Sequence, residues 1–227
     1  MSAKSNNQTV LLATLALLGG SLVWGQTNSK VAHPDSSNWK TLFAPDLSNA
    51  ALEPGSWITE DGVLRAKTGG TLWTKESYGN FVLDLEFKVA PAANSGVFLR
   101  AGDIRDVLSA FEIQIHESND GSRAGMVGAL YDCMAPSKKM EKPAGEWNRY
   151  TITMQDSRLY LVFNGAQVLN LDLNDWKEPN KNPDGTRNKF LVALKDYARK
   201  GPIGLQGLHG AERAPVWFRN LRINVLD

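Results

Sequence analysis

The sequence predicts an all-β protein, built as a two-sheet antiparallel β-sandwich or jelly roll. Short stretches that alternate apolar and polar residues recur along most of the chain, and helical periodicity is poor. Turn residues punctuate these stretches at short intervals, with 20 Gly and 10 Pro among 227 residues. Ten or more short strands of this kind favour two packed sheets, because each strand has one apolar face to bury.

Composition excludes several classes of protein. Hydrophobic residues make up 42% and charged residues 22%, which argues against a disordered, collagen-like or multi-span membrane protein. Twenty-five cations against 24 acids give a net charge of +1, with no broad electrostatic footprint for nucleic acid. The single cysteine, Cys133, excludes an internal disulfide and a Cys-rich zinc site, and is interpreted as a buried, inert thiol.

The first segment has the pattern of a targeting signal. A polar start with Lys4 precedes an apolar run over 10–18, and small residues follow it. That run is short for a membrane anchor. We therefore predict a signal peptide over 1–25, a flexible lead-in over 26–37 and one domain over 38–227. The mature chain would have 24 cations and 24 acids, no membrane span, and a periplasmic or extracellular location.

Several strands can be placed directly. Residues 81–89 alternate strictly between apolar and polar, which predicts a strand with one buried face. Residues 159–172 form a predicted hairpin, because Asn164-Gly165 tolerates the positive φ angles of a type I′ turn. The last strand, 217–225, changes its apolar phase near Arg219 and Asn220, which predicts a β-bulge there.

One long stretch lacks a strand or helix pattern. Residues 173–189 are polar and contain Pro179, Pro183 and Gly185. A loop of this length inside a compact domain is usually functional or mobile. We therefore expect this loop to contribute to function or to move.

The strand predicted over 110–117 carries an unusual outer face. Its apolar residues point to the core, which leaves the alternate side chains about 7 Å apart on the outer face. A free sheet face normally carries Thr, Ser and Lys, whereas this one offers an acid, an amide and an imidazole. These three outward residues are Glu112, Gln114 and His116.

Two further segments add to this face. The same alternation places Phe98 and Arg100 outward on one segment and Gln206 outward on another, with His209 at a strand end. An aromatic platform with a few directional polar groups is typical of a sugar site. Each residue also has a simpler interpretation: a solvated strand position for Glu112, an incidental turn residue for His209, and a surface ion pair for Arg100. Trp147 is interpreted as a core residue.

An ordered series of motifs resembles the 3-keto-disaccharide hydrolase family over residues 39–226. Each motif is weak alone, and their order makes the resemblance specific. The series runs Leu42-Phe43, Asp46-Leu47-Ser48, Trp57, Glu60-Asp61-Gly62-Val63-Leu64, Tyr78-Gly79-Asn80-Phe81, Asn94-Ser95-Gly96-Val97-Phe98-Leu99-Arg100, Gly128-Ala129-Leu130-Tyr131, Lys142-Pro143-Ala144-Gly145-Glu146-Trp147-Asn148, Asn164-Gly165, Gly201-Pro202-Ile203-Gly204-Leu205-Gln206 and Phe218-Arg219-Asn220-Leu221-Arg222-Ile223.

The resemblance implies a concanavalin A-like jelly roll with a concave binding face, export, and action on 3-keto-glycosides made by a partner oxidoreductase. Two positions depart from the family. Leu208 replaces an acid that the family often has before His209, and His116 lies near a position where the family often has Asp. Both departures bear on whether a divalent cation is bound and whether the chain is active.

The chemistry that the resemblance implies needs three groups. A ketone at C3 acidifies the C2 hydrogen, so a base can remove it while the C1 substituent leaves, and water then adds to the enone. A base at C2, a donor at the C3 oxygen and an acid at the leaving oxygen are required. We assign Glu112 or His209 as base and Arg100, with or without a metal, to the C3 oxygen. The sugar-binding residues are then Phe98, Gln114, His116 and Gln206.

Two other classes of protein are compatible with the sequence. A conventional glycosidase needs two carboxylates about 5–9.5 Å apart, and Glu117 falls on the opposite face from Glu112. A non-catalytic carbohydrate-binding module would show exposed aromatics without a base and a cation together. Three His without a close zinc spacing disfavour a tri-His site, which leaves a loosely held divalent cation open.

Overall fold

Two antiparallel sheets packed face to face form the protein, as a computed structural model describes it for residues 31–117 and 125–226. Within these ranges thirteen strands form the sheets, and the helical elements are short 3₁₀ turns such as Val107–Ser109 and Leu194–Asp196. The predicted all-β, two-sheet jelly-roll sandwich is confirmed.

The larger sheet has eight strands, with β6 near its centre. β6 pairs with β9 on one side and with β13 on the other, so strands distant in sequence lie side by side. In spatial order the strands are β11 (Ala166–Asp172), β10 (Arg158–Phe163), β9 (Asn148–Gln155), β6 (Phe81–Val89), β13 (Val216–Val225), β4 (Val63–Ala66) and β3 (Trp57–Glu60), with β1 (Lys40–Thr41) also paired to β13.

The smaller sheet has five strands and ends at β8. Beyond β8, the segment 128–131 continues the hydrogen bonding, since the Tyr131 amide donates to the Glu112 carbonyl. In spatial order the strands are β2 (Ala50–Ala51), β5 (Leu72–Thr74), β12 (Gly204–Leu205), β7 (Asn94–Leu99) and β8 (Phe111–His116).

The core lies between the inner faces of the two sheets. On β6 the odd-numbered residues from Phe81 to Val89 are buried, as the alternation predicts. Facing residues of the smaller sheet, including Ile113 and Ile115 on β8, are fully buried as well. Burying each such side chain contributes about 1.5–3 kcal/mol, which fixes which face of every strand points outward.

The predicted hairpin and bulge are both present. Asn164 and Gly165 have φ angles of 46° and 83°, the positive pair that a type I′ turn requires. In β13 the register to β6 shifts between Arg219 and Arg222, and Asn220 has a φ of 54°. Both irregularities therefore arise where the sequence indicates them.

The N-terminal part of the described chain is bonded to the larger sheet. The Val31 amide donates to the Gly165 carbonyl, and the Ser36 hydroxyl donates to Asp84. The described part of the predicted lead-in thus lies against the sheet, while the predicted signal peptide falls outside the described residues. In the described ranges, no helix is long and apolar enough to cross a membrane.

Candidate active site

The outer face of the smaller sheet brings most of the predicted site residues into neighbouring rows. Glu112 pairs in register with Phe98, Gln114 with Gly96, and His116 with Asn94. Residues directly opposite in antiparallel strands project from the same face. Glu112, Gln114 and His116 therefore line the outer face, as the alternation predicts.

A glycine makes room for the Glu112 carboxylate. A Cβ at Gly96 would lie 2.3 Å from Glu112 Oε1, so the carboxylate occupies the space above Gly96. Gly96 lies between Gln114 on β8 and Gln206, whose backbone N–H donates to the Gly96 carbonyl at 2.9 Å. The carboxylate is thus placed over the middle of the face, between the two glutamine positions.

The Glu112 carboxylate is poised to exchange a proton near neutral pH. Within 31–117 and 125–226 it makes no hydrogen bond, and the residue is half-buried. Desolvation raises the pKa of Glu112 to about 7, and the positive charge of Lys189 opposes that rise. A base of this pKa is half ionised at the pH where a general base is most effective.

Lys189 and Tyr131 belong to the same cluster, although no sequence pattern indicates either of them. Tyr131 lies directly opposite Glu112 on the segment that extends the sheet beyond β8, so it projects from the same face. The Lys189 ammonium lies 3.9 Å above the Tyr131 ring centroid. A cation held on an aromatic face next to Glu112 can stabilise negative charge as it develops there.

The loop that carries Lys189 is fixed by a buried amide network. The Trp176 indole and the Asn188 amide both donate to Asn182 Oδ1, at 2.9 and 2.8 Å. Asn182 Nδ2 donates to the Asp132 carbonyl, and the Lys189 amide donates to the Asp132 carboxylate. The predicted loop therefore delivers one cation to the site on a bonded scaffold.

Two polar atoms on this face have no partner. Three side-chain polar atoms in the described chain are buried without a hydrogen bond, and two of them are Asn94 Oδ1 and Gln206 Oε1. By contrast, Gln114 Oε1 accepts from the Ile115 amide. Because an unmade buried hydrogen bond costs about 1–3 kcal/mol, the two amides point to a ligand that would satisfy them.

Phe98 faces outward as predicted, yet its ring is not open to solvent. It is fully buried and stacked on Trp73, with ring centroids 5.5 Å apart and planes inclined by 25°. Trp73 lies over Gly204, where a Cβ would approach its ring to 2.5 Å. The exposed aromatic platform predicted at Phe98 is therefore absent, and Phe98 instead supports the floor of the site beside Glu112.

The predicted outward orientation of Arg100 is wrong. Arg100 has a φ of 52°, which interrupts the strand alternation after Leu99 and turns the side chain away from the outer face. Its guanidinium is fully buried and donates to the Gly79 carbonyl, the Asp156 carbonyl and Asn80 Oδ1. It ties the smaller sheet to one end of the larger sheet and is not available to a substrate.

The two histidines lie at the far end of the face. His209 is exposed, and its backbone forms an isolated bridge to Asn94, which pairs with His116. His116 also lines a cleft of about 240 Å³ at the end of the sandwich, together with Glu117. Both histidines therefore border the face at the level of Asn94, two residues or about 7 Å along β7 from Gly96.

The donor set for a metal is sparse. Among the side chains that the structure describes, no three of His, Cys, Asp and Glu are grouped closely enough to hold a metal ion. No acid is among the causes that raise the pKa of Glu112, and the carboxylate of Asp132 on the neighbouring segment accepts a hydrogen bond from the Lys189 backbone amide. We therefore derive no step through a cation or through a second carboxylate.

Cys133 behaves as predicted for an inert thiol. It is buried at 6% relative exposure and forms no disulfide. Burial and the nearby Asp132 charge raise the pKa of its thiol far above the ordinary value. A thiol held protonated in this way is a poor nucleophile, so the site chemistry rests on Glu112 and its neighbours.

A jelly-roll sandwich with a polar outer face and one near-neutral carboxylate is the architecture of a carbohydrate-active, glycosidase- or lyase-like enzyme. Comparison with known proteins agrees. Residues 32–224 match the family described as a 3-keto-alpha-glucoside-1,2-lyase-like domain, and the chain belongs to that family. The resemblance seen in the sequence is thereby confirmed.

Individual relatives share the sequence and the fold. A 3-keto-disaccharide hydrolase of Bacteroides thetaiotaomicron is 28% identical over 211 residues, covering 77% of this chain and 71% of the relative. The crystal structure of a candidate glycosyl hydrolase from Parabacteroides distasonis is 36% identical, covers 83% of this chain and 99% of its own, and superposes with a TM-score of 0.79. A second such structure from that organism is 22% identical, covers 87% and 99%, and has a TM-score of 0.70.

Proposed function

We propose that this chain cleaves 3-keto-glycosides by elimination followed by hydration. The base removes the C2 proton, the C2–H electrons form an enolate with the C3 ketone, and collapse of the enolate expels the C1 substituent. Water then adds across the resulting C1–C2 double bond, and the removed proton ends on the leaving group. The net reaction is hydrolysis without an oxocarbenium ion.

Glu112 is the base in this proposal. The single observation that carries the assignment is a carboxylate over the middle of the face, free of described hydrogen-bond donors, with a pKa raised to about 7. A carboxylate held by strong hydrogen bonds would be too weak a base, whereas this one has its basicity increased by desolvation. His209, the alternative base, is exposed at the far end of the face.

Groups on opposite sides of the carboxylate suit the two oxygens that gain negative charge. Lys189 lies on the side of β8 that carries Tyr131, and Gln206 lies on the opposite side, beyond Gly96. We assign Lys189 to the leaving oxygen on C1, and the Gln206 amide to the C3 oxygen in place of Arg100. Gln114, Asn94 and His209 are then placed to bind the remaining sugar hydroxyls.

The substrate must come from a prior oxidation. A glucoside lacks the C3 ketone that acidifies its C2 hydrogen, so a partner oxidoreductase has to supply the 3-keto sugar. The predicted signal peptide over 1–25 would place this chain outside the cytoplasm.

Isotope incorporation tests the reaction. Purified protein is incubated in D₂O with 3-keto-trehalose and with 3-keto aryl glucosides of both anomers. Elimination and hydration predict one deuterium at C2 of the released sugar, because that hydrogen is returned from solvent. Cleavage that leaves C2 unlabelled, or equal cleavage of the unoxidised glucosides, would refute the mechanism.

Substitution tests the base. Glu112→Gln is expected to lower kcat/KM for the 3-keto substrate at least about 100-fold, since a positioned general base contributes 10²–10⁴-fold. Glu60→Gln, at an exposed position on β3 of the larger sheet, is the matched control and should be unchanged. Wild-type turnover by Glu112→Gln would show that another group removes the proton.

A further inference from the structure

Lys189 is held in place through its two neighbours in the chain. The Asn188 N–H donates to the Asn180 carbonyl at 3.1 Å, and the Asn180 N–H donates to the Phe190 carbonyl at 2.7 Å. The side-chain amide of Asn180 donates to the carbonyls of both neighbours as well, at 3.2 and 3.1 Å. The backbone is therefore fixed on each side of Lys189, whose own side chain is exposed.

One buried amide joins this loop to the segment that carries Tyr131. Asn182 Oδ1 accepts from the side-chain amide of Asn188 at 2.8 Å, and Asn182 Nδ2 donates to the Asp132 carbonyl at 3.3 Å. Asn188 immediately precedes Lys189 in the chain. Asp132 immediately follows Tyr131. Asn182 is therefore bonded to a chain neighbour of each partner in the cation–π pair.

The backbone at Asp132 also depends on this loop. Asp132 has a φ of 59°, in the left-handed region that Asp and Asn enter more readily than most residues other than Gly. Its carboxylate accepts from the Lys189 N–H at 2.8 Å, and its carbonyl accepts from Asn182. Such conformations persist where the surrounding structure holds them, and they cluster at functional sites. The turn after Tyr131 and the loop that carries the cation are thus fixed to each other.

Charge links this arrangement to the carboxylate of the site. The Tyr131 N–H donates to the Glu112 carbonyl, and the Lys189 ammonium lies over the Tyr131 ring. Desolvation raises the pKa of Glu112, and the positive charge of Lys189 opposes that rise. Because the attraction between two charges weakens with distance, moving the ammonium away from the carboxylate would change how readily Glu112 ionises.

We propose that Asn182 and Asp132 are positioning residues that together hold the Lys189 ammonium beside the Glu112 carboxylate. The inference rests on the function proposed above and identifies residues that control the reaction through another group. Asn182 is buried within the loop and acts through the two segments that it joins. When these bonds are lost, Glu112 loses a neighbouring positive charge, and the leaving oxygen loses the cation assigned to it.

The ionisation of Glu112 in the unliganded protein tests this placement without turnover. The side-chain carboxyl ¹³C signal, assigned by its absence from Glu112→Gln, is titrated by NMR. Asn182→Ala and Lys189→Met should each titrate at least about 0.3 pH units above wild type, because a nearby positive charge favours the ionised carboxylate. Lys181→Met removes an exposed cation of the same loop, which is bonded to Glu178, and should titrate like wild type. A wild-type titration in Asn182→Ala would overturn the proposal.

A double-mutant cycle shows whether Asn182 acts through Lys189. Asn182→Ala should lower kcat/KM for the 3-keto-glucoside about tenfold per folded molecule, since misplacing a group by about 1 Å can cost up to 10²-fold. In the Lys189→Met background the same substitution should cost less than about twofold, because residues that act through one contact are not additive. Equal losses in the two backgrounds would contradict the proposal.

A pair of variants at Asp132 decides the question if Asn182→Ala does not fold. Asp132→Asn keeps an oxygen that can accept from the Lys189 N–H and suits the left-handed φ, whereas Asp132→Ala does neither. Both remove the same charge, so Glu112 should titrate at a higher pH in the Ala variant than in the Asn variant. Identical titrations would overturn the proposal. If no 3-keto-glycoside is cleaved but these titrations differ as expected, the reaction fails and the placement of Lys189 stands.

Discussion

The outer faces of the two sheets each carry a carboxylate, and the two carboxylates differ in their hydrogen bonding. On the larger sheet, Asp84 is 2% exposed and accepts hydrogen bonds from Arg149, Thr151 and Ser36. On the smaller sheet, Glu112 has no such donor within the described ranges, and Gln206 Oε1 is buried without a partner. The first arrangement is complete in itself, whereas the second leaves groups that a ligand can satisfy.

The cations on the outer face of the larger sheet also have partners within the protein. On the larger sheet, Lys88 lies over the rings of Trp147 and Trp217, and Arg219 lies over Trp147 and bonds to Glu86. Trp147 is therefore half-buried on an outer face, and its interpretation as a core residue is wrong. On the outer face of the larger sheet the polar groups contact one another, so the presence of aromatic and charged residues alone does not identify a binding site. Buried polar atoms without a hydrogen-bond partner are the feature that identifies a binding site.

The largest effect is expected for the satisfied carboxylate. Asp84→Asn should lower the free energy of unfolding by about 2–3 kcal/mol, because hydrogen bonds to a buried charge contribute about 1.5–3 kcal/mol. Chemical denaturation measures the loss, and activity per folded molecule should stay at the wild-type level. Glu60→Gln, which removes an exposed partner 4.0 Å from Arg65, is the control with little change. A loss below about 0.5 kcal/mol for Asp84→Asn, no more than an exposed ion pair contributes, would contradict the contrast.

Neutralising Glu112 should raise the free energy of unfolding, whereas neutralising Asp84 should lower it. The pKa of Glu112 is about 7 in the folded protein against an ordinary 4.5, so its ionisation costs the folded state free energy above pH 4.5. That cost is absent at lower pH, grows up to pH 7 and is then constant. A pKa difference of this size corresponds to about 3 kcal/mol in full, and solvent still screens the half-buried side chain, so Glu112→Gln should be more stable than wild type by roughly 2 kcal/mol at pH 8.

Denaturation at two pH values checks this sign. The stability difference between Glu112→Gln and wild type should vanish near pH 4, where both side chains are neutral. Gain of stability with loss of activity is the behaviour of a group kept for function. A variant less stable than wild type at pH 8 would place Glu112 among the structural residues, alongside Asp84.

A smaller effect tests the space above Gly96. In Gly96→Ala the added Cβ would fall 2.3 Å from Glu112 Oε1, so the carboxylate must move aside. We expect kcat/KM to fall about tenfold, since misplacing a reacting group by about 1 Å can cost up to 10²-fold. Stability should change little, because the displaced atoms are the end of a flexible side chain. Gly70→Ala, where the nearest atoms lie at 3.6 Å, is the control.

The sequence predicts the sheet faces better than it predicts the site. Period-two alternation identifies Glu112 and Gln114 because burying the opposite face leaves no other orientation. Arg100 escapes this rule, since its φ of 52° at a non-glycine residue reverses the side chain without any mark in the pattern. This local backbone conformation directs the guanidinium to three acceptors from distant segments, the Gly79 and Asp156 carbonyls and Asn80 Oδ1.

Lys189 and Tyr131 could not be found from local pattern at all. Tyr131 joins the face only because its segment extends the sheet beyond β8, and Lys189 reaches it from a loop 58 positions further on. The length of that loop is the one signal in the sequence, and it indicates a functional segment without showing which of its side chains takes part. Contacts between such distant segments depend on the tertiary packing of Asn182 and Trp176.

The smallest expected effect concerns the segment bound to the larger sheet. His33 Nε2 accepts from the Gly165 amide, and its Nδ1 lies 2.8 Å from Thr151 Oγ1. Burial, with Arg149 nearby, lowers the pKa of His33 below 6.5, against opposing charges on Asp84 and Glu86. The bond is therefore fully kept above pH 6.5 and is lost as the pH falls toward the folded-state pKa, because a protonated Nε2 cannot accept it.

Hydrogen exchange measures this local release. The protection factor of the Gly165 amide, corrected for intrinsic exchange, should fall severalfold between pH 7.5 and pH 5 while core amides on β6 keep theirs. His33→Gln retains an acceptor that does not titrate, so its Gly165 protection should be the same at both pH values. If wild type and variant respond alike, another group controls the segment, and the larger face is less complete than its hydrogen bonds indicate.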